Sequence, residues 1–149
     1  LPLNQSLDAV TELAASLNIS EQASEGDYRF MNWHQARQLL QAGFEIGAHT
    51  VNHPIMSKIG LQEAQKEIRT SRDKVVAELT RCSETFCYPN GQSGDYTPAI
   101  VAFVKQHFSS ALATNCGYAC FSELYELRRL SPAGGRMVSD IELMLLRER

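Results

Sequence analysis

No run of apolar residues in this chain approaches the roughly 20 needed to cross a bilayer, so the sequence offers no membrane span. Basic residues are few and scattered. Lys and Arg number 14 against 17 Asp and Glu, and they gather only at Arg128-Arg129 and at Arg147 and Arg149. The chain therefore lacks the basic face that a nucleic-acid binder needs. It contains no internal repeat or low-complexity segment, and no shift in composition marks a domain boundary. The first residue is Leu1 and no basic-then-apolar leader follows it, so the chain reads as the interior or C-terminal part of a longer product.

What is present is ordinary globular material: 149 residues, 44% hydrophobic and 21% charged, with a net charge of −3. A chain of this length buries about 68–70% of its unfolded surface, enough for a real core. Four cysteines occur, Cys82, Cys87, Cys116 and Cys120. An even number permits disulfides without requiring them. Their spacing is only loosely zinc-like, because structural zinc sites use tighter pairs flanked by turn residues. Buried or incidental thiols are the simpler reading, with Cys87 a small hydrophobe in a strand-like run. A local Cys116–Cys120 bridge is the other option.

Apolar periodicity places the elements. Leu7, Val10, Leu13, Ala14 and Leu17 fall at helical spacing over 4–17, and a polar, Gly26-containing loop follows over 18–30. Asn32 with Gln35 has the form of a capping box, Ala36, Leu39 and Leu40 make an apolar face, and Gly43 supplies a left-handed stop. Phe44, Ile46 and Ala48 then alternate as in a strand. A long amphipathic helix is predicted from Leu61 to Leu79, with Leu61, Ala64, Ile68, Val75 and Leu79 on one stripe and a solvated charged face opposite. Short strands follow at Thr85–Tyr88, Ser110–Thr114 and Tyr125–Leu130. Thr97-Pro98 starts a helix to His107. Ser139 with Glu142 caps a last helix, Asp140–Leu146. Helices alternating with strands predict a mostly parallel α/β sheet.

The chemistry centres on His49-Thr50-Val51-Asn52-His53-Pro54. Two imidazoles four residues apart converge on one metal ion if the backbone between them makes a single turn. They follow Gly43–Ala48, so they are expected where a strand ends and a loop begins, which is where ligands gather in layered α/β proteins. The metalloprotease pattern requires Glu directly after the first His, and Thr50 stands there instead. Pro54 disfavours a helix at His53, so the pair belongs to a turn. The competing reading is two polar loop histidines bonded to backbone.

The run from Trp33 through Ala42-Gly43-Phe44-Glu45-Ile46-Gly47-Ala48-His49-Thr50-x2-His53-Pro54 resembles the second motif of the polysaccharide deacetylases, which share the NodB-type homology domain (carbohydrate esterase family 4). Phe86-Cys87-Tyr88-Pro89-Asn90-Gly91 resembles the third motif, and Leu127-Arg128-Arg129-Leu130 looks like the late strand that follows. The resemblance spans roughly residues 31–131. It implies an α/β fold, an incomplete (β/α) barrel with mostly parallel strands, and a single partial domain over 1–149 that lacks its N-terminal strand. It further implies a divalent metal, zinc, held by His49 and His53 with an open position for water. The backbone N–H of Asn90 becomes the oxyanion donor, and Tyr88 and Pro89 lie against the substrate.

The chain departs from the family pattern in three places. The family's Asp-Asp pair, source of its base and third ligand, has no counterpart among Asp8, Asp27, Asp73, Asp95 and Asp140. Cys87 stands where the third-motif arginine would be, and a late arginine, Arg129, is its candidate substitute, with Asp95 a candidate to reach the metal. The usual Leu-x-x-His acid is missing, and His34 and His107 read as structural or exposed. Of the aromatics suited to sugar stacking, Trp33, Tyr88, Tyr96 and Tyr118, Trp33 reads more simply as core and Tyr118 as loop.

The expectation is a metal-dependent hydrolase that removes acetyl groups from an N-acetylglucosamine-containing polysaccharide. This chain alone is expected to bind metal weakly and to be inactive. An unpaired sheet edge implies self-association, and the family resemblance favours an extracytoplasmic or cell-envelope location. Two rivals remain: a non-catalytic carbohydrate- or protein-binding descendant of the fold, and a four-cysteine zinc or redox module.

Overall fold

A computed structural model of the chain describes residues 3–18 and 30–130. Most of the loop expected at 18–30 and the helix expected at Asp140–Leu146 lie outside the described residues. The chain divides into two units, Leu1–Phe44 and Glu45–Arg149.

The first unit carries helix α1, Leu3–Ser16, and helix α2, Trp33–Gln41. In α1 the periodic residues Val10 and Leu13 are exposed, as is Leu17 just beyond its end, so helical spacing there does not mark a buried face. Helix α2 begins as its sequence predicts. The Asn32 side chain accepts from the Gln35 N–H at 2.9 Å, and the Gln35 side chain accepts from the Asn32 N–H at 3.0 Å. It ends at Ala42, where Gly43 takes φ +92°. The Gly43 and Phe44 N–H groups reach back to Leu40 and Leu39 carbonyls, the paired bonds of a Schellman stop. Only glycine takes that φ without steric cost. Ala36 is buried in α2, while Trp33 is half-buried rather than core and Leu39 is exposed.

The second unit opens with the segment expected as a strand. Residues 45–48 are extended, but they form no regular ladder. Their carbonyls at Ile46 and Ala48 accept from the Ser83 and Cys87 N–H groups, at 2.8 and 3.3 Å. Gly47 permits this approach, because a Cβ there would sit 3.0 Å from the Thr85 carbonyl oxygen. Phe44, expected on the buried side, is exposed.

Helix α3, Leu61–Leu79, leads to strand β1, Thr85–Cys87. Its buried stripe is Ala64, Ile68, Ser71, Val75 and Leu79, and Leu61 is exposed at the solvated N-terminal turn. Helix α4, Pro98–His107, starts on Thr97, whose side chain accepts from the Ile100 N–H. Strand β2, Ser110–Cys116, and strand β3, Leu127–Arg129, complete a sheet of order β1-β2-β3, parallel throughout. Phe86 pairs with Ala111, and the β2–β3 register shifts between Leu112 and Cys116.

The two faces of this sheet differ. Phe86 and Ala111 point into a core with Ile68 of α3 and Ile100 and Val104 of α4. The Phe86 ring meets Tyr88 edge-on at 5.3 Å and Phe108 at 5.2 Å. Burying each of these large side chains contributes roughly 1.5–3 kcal/mol. The opposite face, with Thr85, Cys87, Ser110 and Leu112, lines an open trough of about 440 Å³. Helices over one face of a parallel sheet and an open trough on the other make an α/β fold, an incomplete (β/α) barrel. Among the described residues no helix is long and apolar enough to cross a membrane.

Candidate functional site

His49 follows directly on the extended segment 45–48, at the end of the sheet where β1 also finishes. Both histidines are exposed, and their rings meet edge to face with centroids 4.8 Å apart and planes at 73°. The turn between them requires two left-handed residues, Thr50 at φ +65° and His53 at φ +52°. Such values cost a β-branched residue energy. The Thr50 hydroxyl offsets part of this by accepting from the His53 N–H at 3.2 Å.

The His49 ring is fixed from the other side. Its Nδ1 lies 2.7 Å from the Cys87 carbonyl oxygen. A carbonyl only accepts, so Nδ1 carries a proton, and in the neutral imidazole the lone pair then sits on Nε2. This is the arrangement of a metal-ligating imidazole, whose second nitrogen donates to a backbone or carboxylate oxygen. The ring also lines the trough. Two imidazoles in contact, one of them oriented by a carbonyl, are a donor set of the kind that supplies half of a divalent-metal site. Among the described residues no third His, Cys, Asp or Glu joins them.

The turn after β1 carries Asn90, exposed and left-handed at φ +55°. It is held against the end of β2. The Thr114 hydroxyl donates to the Asn90 carbonyl at 2.6 Å, and the Thr114 N–H donates to the Gly91 carbonyl at 2.8 Å. The Asn90 N–H has no partner among the described residues, so it remains available to a ligand.

The sugar contacts expected of Tyr88 and Pro89 need correction. Tyr88 and Pro89 are buried, so neither side chain offers surface to a sugar, and the exposed part of that turn is Asn90. The Tyr88 ring instead stacks on Tyr96, 4.0 Å away. Arg129 donates from Nε to the Ala113 carbonyl at 2.7 Å and makes no bond to either histidine among the described residues. It clips β3 to β2, on which Arg129 is paired with Cys116. Asp95 is engaged in its own turn, accepting from the Gln92 N–H at 2.9 Å. The four thiols are free, with Cys116 and Cys120 exposed and the other two half-buried. Burial raises the Cys82 thiol pKa, whereas the Ser122 hydroxyl and backbone lower that of Cys120.

Sequence reasoning missed Glu67 and Ser71, which bond to the backbone of the histidine loop. Both belong to a helix whose polar residues read as a solvated face. Their i, i+4 spacing beside the apolar stripe was the available signal.

The polysaccharide deacetylase family model matches residues 11–108. No curated protein matches the chain. Among solved structures, the deacetylase PplD of Streptococcus pyogenes, in complex with acetate, is similar with a TM-score of 0.72 at 21% identity, over 83% of this chain and 53% of that one. A polysaccharide deacetylase of Bacillus cereus is similar at 0.66 and 18% identity, over 81% of this chain and 37% of that one. A de-N-acetylase of Aggregatibacter actinomycetemcomitans is similar at 0.60 and 14% identity, over 91% and 69%. These likenesses show a shared fold, and the chain spans about half the length of the first and little more than a third of the second. With the family model covering more than half of its residues, the chain belongs to the polysaccharide deacetylase family.

Proposed function

We propose that this chain carries the histidine half of a metal-dependent hydrolase that removes acetyl groups from a polysaccharide containing N-acetylglucosamine. The observation that supports it most is the pair of converging rings, 4.8 Å apart, with the Nε2 of His49 left free by the Cys87 carbonyl. His49 and His53 would hold a divalent cation, zinc being the ion best suited to imidazole with an open position. Such an ion, when bound, polarises an acetyl carbonyl and lowers the pKa of a water.

The chain's own residues supply the rest. The Asn90 N–H, at the same end of the sheet and without a partner among the described residues, donates a hydrogen bond to the oxygen on which charge develops. Thr114 keeps that N–H in place by holding both carbonyls of the turn. The trough beside His49 gives a sugar chain room to lie. No Asp-Asp pair stands in the sequence, so a base and a third ligand are wanting, and this chain alone has negligible activity and weak metal affinity. The open sheet edge favours pairing with a second chain. Size-exclusion chromatography giving a clean monomer at high concentration would count against that pairing.

A Zn²⁺ titration followed by the ring C–H resonances of His49 and His53 tests the metal reading. Both rings should shift together, the effect should vanish in His49→Ala and His53→Ala, and Cys116→Ser should leave it intact. Binding that survives His49→Ala but not Cys116→Ser would move the site to the cysteines and end the proposal.

A further inference from the structure

The loop between the two histidines is short of partners of its own. Residues 49 to 53 make no helix and no ladder, and two of them sit at positive φ. Its N–H groups turn instead toward one helix. The Val51 and Asn52 N–H groups both donate to Glu67 Oε2, each at 2.8 Å. The Asn52 side-chain amide donates to Glu67 Oε1 at 2.6 Å. One turn further along α3, the buried Ser71 accepts from the His49 N–H at 3.2 Å.

Successive backbone N–H groups in a turn form a concave anion site. Here that nest is filled by the protein's own carboxylate. No cation pairs with Glu67 among the described residues, so its charge is met by the loop backbone and by Asn52 alone. A surface carboxylate with no such task would point to water or to a lysine.

We propose that Glu67 is the positioning residue of the histidine pair: its carboxylate grips the His49–His53 loop from α3 and sets the direction in which the two imidazoles converge. Ser71 assists by pinning the first of them. Glu67 itself touches neither ring. The inference rests on the metal-binding reading, because convergence matters only if the rings share a ligand. Partners of this kind are worth about 10–100-fold in metal affinity at other sites.

The test uses the whole chain with three variants, Glu67→Ala, Glu67→Gln and, as control, Glu63→Gln on the exposed first turn of α3. Zn²⁺ binding is read from the His49 and His53 ring resonances, and hydrogen exchange of the Val51 and Asn52 amides is read without metal. Glu67→Ala should weaken binding about 10-fold or more and speed exchange at both amides. Glu67→Gln keeps one acceptor and should fall between Glu67→Ala and the wild type, while Glu63→Gln should match the wild type. Should Glu67→Ala fail to fold, Glu67→Gln decides: affinity and exchange equal to the wild type overturn the proposal. Equal losses in Ala and Gln variants also overturn it, since that pattern belongs to net charge rather than position. If the wild type binds no Zn²⁺ yet its two amides are protected through Glu67, the metal reading has failed while the grip on the loop stands. Wild-type Zn²⁺ binding that Glu67→Ala leaves unchanged refutes the grip alone.

Discussion

Replacing Tyr88 with phenylalanine should stabilise this protein. The Tyr88 side chain is 1% exposed, and its hydroxyl has no hydrogen-bond partner among the described residues. The ring is well used, stacked on Tyr96 at 4.0 Å and edge-on to Phe86 at 5.3 Å. Tyr88→Phe keeps both ring contacts and removes only the oxygen. An unsatisfied buried hydroxyl costs about 1–3 kcal/mol. Deleting it opens a space of a single atom, which offsets part of the gain. The net expectation is about 1 kcal/mol of added stability, or a few degrees in Tm for a chain of this size. Alkaline pH supplies an independent check. Burial, together with Tyr96 and Glu126, raises the Tyr88 pKa well above its ordinary value of 10. A raised folded-state pKa means that its share of stability is whole below pH 10 and is lost as pH climbs beyond that. Tyr96 is raised in the same sense by burial and by its 3.0 Å bond to Glu126, so the wild type should lose stability above pH 10, and Tyr88→Phe should lose less. Urea unfolding at neutral pH and at a series of alkaline values measures both effects. A variant destabilised by more than about 1 kcal/mol would show that the hydroxyl is bonded, and an unchanged alkaline slope would show that its ionisation is not linked to folding; either result refutes the reasoning.

Gly91→Ala should cost well over about 1 kcal/mol in chemical denaturation, since Gly91 has φ +77° and a Cβ would meet the Tyr88 carbonyl oxygen and the Thr114 nitrogen, each at 3.1 Å. The same variant should shift the Asn90 amide resonance, because Thr114 holds that turn. Ile68→Ala empties a fully buried position between α3 and the sheet and should cost about 2–5 kcal/mol in urea unfolding. Asn32→Ala removes the side-chain acceptor of its capping box, leaving only the backbone bond to Gln35, and should lower stability by about 1 kcal/mol, with faster exchange in the first turn of α2 as the local readout.

Local signals in the sequence translated well into elements. Asn32 with Gln35, Gly43, and Thr97 with Pro98 each act over a few residues, and each marks a helix end in the structure. The stripe of Ala64, Ile68, Val75 and Leu79 found the length of α3 for the same reason. Strands were harder. The alternation of Phe44, Ile46 and Ala48 suggests a strand, but a ladder depends on a partner whose register no local pattern reports. Tyr88 shows the same gap at the site. Its neighbours Pro89 and Asn90 suggest an exposed turn, yet its burial is decided by Tyr96 and Phe86, of which only the second is close in sequence. The meeting of His49 and His53 was legible from their spacing. The Cys87 carbonyl that orients His49 was not, because backbone acceptors leave no mark in side-chain type.

The helix that grips the histidine turn is also the next α-helix in the chain. Glu67 lies 16 residues from Val51 and 15 from Asn52, whereas the bond from His49 to Cys87 spans 38. Closing the shorter loop costs about 0.8 kcal/mol less entropy than closing the longer one. The imidazole pair should therefore be gathered early in folding, while strand pairing lags behind. Pulse-labelled exchange during refolding should then protect the amides of Val51 and Asn52 ahead of that of Tyr88, which waits on the Leu112 carbonyl of β2.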